Sequence, residues 1–392
     1  MGEGLGIILF LHFLNDGIRT AIVSILPFVA KDLHFNYAVI GILGASHGLF
    51  ATFLAYPAGF LSSKFGGFKM IILSLLIYSL AQIGISIASH AAIFILFFYI
   101  TASGFGMFHT IGYTLVARVS GKINVGKNLG NFTAIGDIGR IAVPALAIML
   151  ASSIFQWRFT YLTLAIVGVT SYLILRLNKN PKPLLKNTNL EIESPKEWIK
   201  HTFYLLRQRK LALIMSSNFI DSLAGNSMYI FLPFLLLAKG IKPVELGLFI
   251  PTYFLGSFAG KFILGRGSDK FGASNMFVLA EVLMAINIIF LVSTNYFFLI
   301  LAISFLLGLF TRGTTPVLAT LIFSITHDKH YEKVAATSEF ITGFAAVIAP
   351  AILGLLADRF GINFVFYSCA ILAILAITPI VILGRQRTIE GV

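Results

Sequence analysis

The sequence predicts an all-α membrane protein of twelve transmembrane helices, arranged as two pseudo-symmetric six-helix bundles. An apolar composition, apolar segments of spanning length and an internal repeat support this fold class. Hydrophobic residues make up 57% of the 392 positions and charged residues 11%, which leaves too little polar surface for a water-soluble protein of this size. A lipid bilayer is therefore the expected surroundings of most of the chain.

The apolar segments set the number of spans. Each is about 20 residues long, which at ~1.5 Å per residue crosses a hydrocarbon core of about 30 Å. They must be helices, because a membrane barrel would show short alternating strands and the sequence lacks that period. The predicted spans are 7–29, 38–61, 70–88, 92–117, 128–152, 158–176, 211–237, 244–264, 275–293, 297–325, 336–356 and 362–384.

A repeat relates the two halves of the chain at a constant offset of 206 positions. Residues 12–16 align with 218–222, and Pro144 aligns with Pro350. Parallel repeats of this length in an apolar chain are typical of secondary transporters, whose substrate site lies between the repeats.

The repeat and a polar stretch between the halves define the expected domains. An N-terminal bundle covers residues 1–176, a cytoplasmic linker covers 177–210 and a C-terminal bundle covers 211–392. We expect transport by alternating access, in which the two bundles rock against each other.

Basic residues indicate the orientation in the membrane. They concentrate in the loops and helix ends on one side, which predicts that both termini are cytoplasmic and that the protein is a multi-pass protein of the cell (plasma) membrane. The same residues account for the net charge of +13. Because they are spread over several loops, we expect no nucleic-acid partner.

Two glycine-rich loops carry matching residues one repeat apart. The gating-loop motif consists of Gly59, Ser63, Lys64 and Gly66, and of Gly265, Asp269, Lys270 and Gly272. Glycines allow a sharp turn where a helix leaves the membrane, and lysines favour the anionic cytoplasmic leaflet. A similar turn at residues 354–361 falls on the opposite side and is interpreted as coincidental.

This motif resembles the signature between helices 2 and 3, and again between helices 8 and 9, of the major facilitator superfamily. The resemblance covers nearly the whole chain and implies the major facilitator fold. It also implies that the acid of the motif contacts the opposite half in one state of the cycle; only the second copy has it, as Asp269. Residues 12–16 with Leu26-Pro27, and residues 104–109, are similar to the fosmidomycin-resistance branch of drug exporters.

Ionisable residues inside the spans give the clearest indication of function, because each costs at least ~2.5–3.5 kcal/mol at a helix centre unless it is paired or hydrated. Asp16 and Asp137 are each followed three positions later by an arginine, Arg19 or Arg140, on the same helical face. These pairs fit either structural ion pairs or a functional network.

Proton coupling requires a carboxyl group that takes up and releases a proton as its surroundings alternate. Asp221 has no basic neighbour in the sequence, and a pairing with Arg312 is left open. Glu281 and Glu339 are secondary candidates that can instead face lipid headgroups. The proton-coupling candidates are Asp16, Asp137, Asp221 and Glu339.

Histidines, amides and arginines within the spans are candidates for recognising a substrate. Histidine titrates near neutral pH, although an intramembrane histidine is as often a hydrogen-bonded packing residue. The histidines are scattered in the sequence, so no metal and no other cofactor is predicted. The substrate-cavity candidates are His12, Asn15, Arg19, His109, Arg140, Asn218 and Arg312.

The energy source follows from what the sequence lacks. It has no phosphate-binding loop and no nucleophile–base pair, so we expect neither ATP hydrolysis nor an enzyme with catalytic residues. The predicted function is secondary active transport, most simply proton-coupled export (antiport) of a small organic or drug-like compound by a monomer. The alternative is an importer or exchanger of a small metabolite such as an organic anion.

Overall fold

The computed structural model describes residues 3–153, 156–177, 200, 204, 207–326 and 331–390. This part of the chain is helical, with short turns between the helices. Among the predicted functional positions, the side chains of Ser63, Lys64, Asp269 and Glu339, and Gly59, lie outside the described residues.

Before the linker, the described residues form six helices. Their bounds are α1 (Glu3–Ser24), α2 (Leu26–Leu33), α3 (Tyr37–Phe65), α4 (Gly67–Ser86), α5 (Ala91–Ala151) and α6 (Gln156–Leu177). After the linker, the described helices are α7 (Arg209–Ala238), α8 (Leu246–Phe271), α9 (Ala273–Ser293), α10 (Phe297–Ser324), α11 (Tyr331–Phe360) and α12 (Ile362–Glu390), with a 3₁₀ turn at Pro243–Glu245.

The number and length of the helices agree with the predicted membrane fold. By length and composition, eleven helical stretches within the described residues can cross a membrane, and α3 contributes a shorter apolar stretch, Tyr37–Ala51. Large hydrophobic side chains such as Leu96, Ile174, Leu355 and Ile371 remain exposed, as expected for helices whose outer faces contact lipid.

Two predicted boundaries are wrong in detail. The predicted first span is divided into α1 and α2 because Pro27 stands in the first turn of α2, where its missing N–H is tolerated. The predicted spans 92–117 and 128–152 both lie in α5, which is continuous. No proline interrupts the sequence between them, so the backbone hydrogen bonds continue through this polar stretch.

The chain divides into two compact units. Unit 1 comprises Met1–Asn36, Ser46–Ile192 and Lys242–Pro251, and unit 2 comprises Tyr37–Ala45, Glu193–Ile241 and Thr252–Val392. Unit 1 has an apolar core in which Ile8 of α1, Ile71 of α4 and Phe108 of α5 are buried together. Unit 2 has a separate core that includes Ile214 of α7, Phe277 of α9 and Val317 of α10.

Glycines of α5 allow α1 to approach it closely in unit 1. A Cβ atom at Gly139 would collide with the backbone carbonyl of Phe13, and one at Gly136 would collide with the ring of His12. The contact between α1 and α5 is therefore made backbone to backbone, and it places the polar residues of both helices side by side.

Candidate functional site

The buried carboxylate of Asp16 is the centre of an ion network in unit 1. Asp16 is 1% exposed, and its two oxygens contact three cationic or protonatable side chains. Arg140 Nη2 lies 2.7 Å from Oδ2, His12 Nε2 lies 3.2 Å from Oδ2, and His109 Nε2 lies 3.0 Å from Oδ1. Helices α1 and α5 supply all four side chains, which we call the Asp16 network.

His12 is held in one orientation by α5. Its Nδ1–H donates to the carbonyl oxygen of Phe132 at 2.7 Å, and its ring stacks on the Phe132 ring with a centroid distance of 3.7 Å. The second nitrogen, Nε2, is left facing the Asp16 carboxylate. This contact becomes a hydrogen bond when Nε2 also carries a proton, so the geometry provides a place where a proton binds next to Asp16.

His109 contacts Asp16 from a more open position. Its side chain is 25% exposed, whereas His12 is 3% exposed. His109 Nδ1 lies 3.4 Å from both the Asn15 amide nitrogen and the Phe105 carbonyl oxygen, and its Nε2 faces the Asp16 carboxylate. His109 therefore connects the buried carboxylate to the accessible side of the network.

Arg140 joins two buried acids of unit 1, Asp16 and Asp137. Its Nη1 lies 3.1 Å from Asp137 Oδ1 while Nη2 contacts Asp16, so the predicted i,i+3 pair of Asp137 and Arg140 forms. The Arg140 side chain is 26% exposed. A partly exposed guanidinium can exchange one carboxylate partner for another, because its donors form a planar fork that matches a carboxylate.

The described ion pairs of Asp16 do not include Arg19, although the i,i+3 spacing of the two residues allowed one. Its guanidinium lies over the Phe105 ring, 4.5 Å from the centroid, while Asp16 is bound by Arg140 and the two histidines. The close packing of α1 on α5 at Gly136 and Gly139 brings Arg140 to Asp16. Arg19 and Phe105 together present a cation beside an aromatic face, an arrangement that favours flat organic groups.

The three donor side chains His12, Asp16 and His109 lie closer together than their sequence positions suggested. Their ligand atoms fall within 4.8 Å of one another, a spacing that a metal ion can also use. The Arg140 guanidinium already supplies a positive charge to the same carboxylate. We therefore interpret the set as an acid–base network, and the absence of a metal stays a prediction.

Unit 2 contains a second set of buried polar groups around Asp221. Asp221 is 6% exposed and Glu281 is 0% exposed, and the two carboxyl groups interact with each other. The hydroxyl of Thr314 donates to Asp221 Oδ2 at 3.3 Å. Sequence analysis named Glu281 only as a secondary candidate, because nothing in the sequence shows that α9 brings it to Asp221.

Arg312 lies near Asp221 and also contacts an aromatic ring. Its guanidinium is 5.7 Å from the centroid of Tyr229 and interacts electrostatically with Asp221. Asn218 lies one turn before Asp221 and donates from Nδ2 to the Ser338 hydroxyl at 2.8 Å. The predicted cavity residues of the second half therefore lie on α7 and α10 of unit 2.

The glycine turns of the gating-loop motif have matching backbones in the two copies. Gly66 precedes α4 with φ 94°, and Gly272 precedes α9 with φ 85°. This left-handed region is accessible to glycine without strain. Gly265 lies in α8, and Lys270, at the end of α8, is exposed with its Nζ 5.2 Å from the Phe271 ring.

Asp358 has a structural contact that sequence analysis missed. Its carboxylate accepts hydrogen bonds from the backbone N–H groups of Tyr37 and Ala38, at 2.7 and 2.9 Å. The carboxylate thus caps the first turn of α3, where N–H groups lack helical partners. The turn at 354–361, interpreted above as coincidental, therefore holds the first turn of α3, which belongs to unit 2.

Buried charge networks inside apolar, membrane-length helices, together with duplicated glycine turns, define a membrane transport protein. The chain belongs to the Major Facilitator Superfamily, whose family model matches residues 8–246 and again residues 214–390. It is a multi-pass membrane protein and a secondary transporter of this superfamily.

Two relatives with assigned substrates extend over almost the whole chain. One is a Bacillus subtilis (strain 168) protein named as the niacin/nicotinamide transporter NiaP, 22% identical over 93% of this chain and 92% of its own length. The other is a gentisate transporter of Corynebacterium glutamicum (strain ATCC 13032), 23% identical over 92% of this chain and 82% of its own. The finer resemblance to fosmidomycin-resistance exporters is not confirmed by these relatives.

Solved structures with the same fold include two transporters. The nucleoside transporter NupG has a TM-score of 0.79 at 12% identity and covers 98% of this chain and 99% of its own. An inward-facing, occupied bacterial homologue of the human lysosomal transporter Spinster has a TM-score of 0.77 at 12% identity, covering 97% and 96%. At this identity the likeness concerns the fold.

Proposed function

We propose that this protein transports a small organic acid across the cell membrane and couples its movement to protons through the Asp16 network. The observation that supports this function is the double role of Arg140. Its guanidinium holds the buried carboxylate of Asp16, yet a quarter of its side chain remains exposed.

A proton and an acidic substrate would act on the two partners of the same ion pair, the proton on Asp16 and the substrate on Arg140. When Asp16 is ionised, Arg140 is bound to it at 2.7 Å. A proton that neutralises Asp16, delivered through His109 or His12, weakens this ion pair and frees guanidinium donors for the carboxylate of a substrate. Loading of a proton and loading of the anion then favour each other, and this is the thermodynamic requirement for coupling.

The proposed substrate class is aromatic carboxylates and close analogues. The names of the two relatives contain niacin, nicotinamide and gentisate; niacin and gentisate are small aromatic carboxylic acids, and nicotinamide is the amide analogue of niacin. In this chain the Arg19 guanidinium lies against Phe105. Phe105 is on α5, together with His109 and Arg140. A flat ring stacked there and a carboxylate at Arg140 would satisfy both ends of such a molecule.

The second candidate function is proton-driven export of a drug-like compound. It is supported by the segments that resemble the fosmidomycin-resistance exporters, because His12, Asp16 and His109 from those segments meet in the Asp16 network. In this case proton uptake by the network releases a substrate instead of recruiting it.

Transport by the purified protein in liposomes tests the proposal. Radiolabelled niacin, gentisate and fosmidomycin are offered with an imposed pH gradient of either direction. Accumulation of an aromatic acid on the alkaline side supports coupled movement of proton and anion in the same direction. Accumulation of fosmidomycin on the acidic side supports antiport export.

Controls separate coupled transport from passive entry of the neutral acid. Liposomes without protein, liposomes with Arg140→Ala protein, and a protonophore that collapses the gradient should each reduce accumulation to the passive level. Transport of all three compounds at the same rate with and without the gradient would contradict proton coupling.

A further inference from the structure

We propose that Asp221 and Glu281 of unit 2 form a second proton-binding site, in which one proton is shared between the two carboxyl groups. This site is separate from the Asp16 network in its helices and in its chemistry. It contains two acids in contact, whereas the Asp16 network contains acids paired with cations.

The burial of these two acids favours a shared proton. Neither oxygen of Glu281 has a hydrogen-bond partner among the described residues, and Oδ1 of Asp221 also lacks one, while Oδ2 receives the Thr314 hydroxyl. The two carboxyl groups interact with each other, so two ionised carboxylates would repel each other in a medium of low dielectric constant. A proton on either group converts the repulsion into a hydrogen bond.

The groups that face the pair from each neighbouring helix fit the shared proton. Arg312 of α10 interacts electrostatically with Asp221. Tyr253 of α8 is fully buried and interacts with Arg312 and electrostatically with Asp221. Two acids, one shared proton and the Arg312 cation make this set neutral, which a buried site favours.

Infrared spectroscopy of the purified protein measures the shared proton directly, without any transport. A protonated carboxyl group has a carbonyl stretching band that ionised carboxylates lack, and this band shifts in D₂O. At neutral pH the exposed acids are ionised, so the wild-type protein should show this band, and the double variant Asp221→Asn/Glu281→Gln should lose it. The amide pair keeps the size and hydrogen-bonding capacity of the acid pair.

Matched variants assign the band to this site. Asp16→Asn removes the central acid of unit 1, and Asp358→Asn removes an exposed acid of unit 2; both should retain the band. The proposal is wrong if the wild-type protein lacks the band at neutral pH, if the double variant keeps it, or if Asp16→Asn abolishes it. Loss of the band on adding Na⁺ would also contradict it, because the pair would then bind a metal cation in place of the proton.

The outcome is independent of the proposed function. A protein that moves no aromatic acid can still show the band and its loss in the double variant. Conversely, coupled transport through the Asp16 network can be present when unit 2 holds no proton.

Discussion

The buried acids of unit 1 and unit 2 have different partners. In unit 1, Asp16 is bound by a guanidinium and faces two imidazoles. In unit 2, Asp221 contacts a second carboxyl group and a hydroxyl. The repeat makes this difference informative, because the matching positions at the offset of 206 are not conserved in charge: Ser222 corresponds to Asp16, and Leu75 corresponds to Glu281.

The two units share backbone features but differ in their buried ionisable residues. Backbone features are duplicated, as the left-handed turns at Gly66 and Gly272 show. Buried charges are not duplicated, so each unit has its own ionisable set on the same helical framework. Fold can therefore be inferred from the repeat, whereas function depends on residues that break it.

The largest expected effect comes from removing the centre of the unit 1 network. Asp16→Asn removes the buried carboxylate that Arg140 contacts at 2.7 Å, and breaking a buried ion pair costs about 3–5 kcal/mol. We expect proton-driven accumulation to fall by about 100-fold or more, as a loss of ~3 kcal/mol implies, with a lower unfolding temperature. Accumulation in liposomes and thermal unfolding measure the two effects.

The matched control is a surface ion pair of the same unit. Asp32 is 46% exposed and contacts Arg158 at 2.7 Å, and exposed pairs of this kind contribute about 0–1 kcal/mol. Asp32→Asn should therefore leave accumulation near the wild-type level. Equal losses in the two variants would mean that the Asp16 network has no special role.

A smaller effect is expected when the charge of Arg140 is kept but its shape is changed. Arg140→Lys retains a cation and loses the planar fork that bridges Asp16 and Asp137. Affinity for niacin should fall about tenfold, equivalent to ~1.4 kcal/mol, whereas nicotinamide, which has no carboxylate, should be affected less. Competition during exchange transport measures both; equal weakening of the acid and the amide would contradict a carboxylate contact at Arg140.

A substitution in the acid pair of unit 2 should change the number of protons moved per substrate and should have little effect on substrate affinity. Glu281→Gln removes the acid partner of Asp221 and should lower the number of protons moved per substrate. Because the two sets share no side chain in the described contacts, the double variant Arg140→Lys/Glu281→Gln should change substrate affinity additively, within about 0.5 kcal/mol. A larger deviation in a binding titration would show that the two sets are energetically coupled.

The smallest expected effect concerns the cap of α3. Asp358→Asn keeps a hydrogen-bond acceptor but removes a negative charge from a helix N-terminus, worth about 0.3–1 kcal/mol. A small decrease in unfolding temperature, weaker at high salt, is the expected result. No decrease at low salt would mean that the charge of this cap does not stabilise unit 2.

Much of the fold was predictable from the sequence, because span length, repeat and glycine turns are local patterns. The site was predictable only in part. The pair of Asp137 and Arg140 follows from i,i+3 spacing, but the contact of Arg140 with Asp16 depends on how α1 packs on α5. Likewise, Glu281 reaches Asp221 only through tertiary packing of α9, and no sequence pattern encodes that contact.

The distance in sequence between Asp16 and Arg140 has a consequence for biogenesis. At ~5–20 residues per second of synthesis, α1 leaves the ribosome on the order of ten seconds before α5 exists. During this interval Asp16 has no guanidinium partner from α5, and an intramembrane charge costs at least ~2.5–3.5 kcal/mol. The free-energy cost of inserting α1 is therefore lower when Asp16 carries a proton. This proton is released when α5 is made and Arg140 binds Asp16.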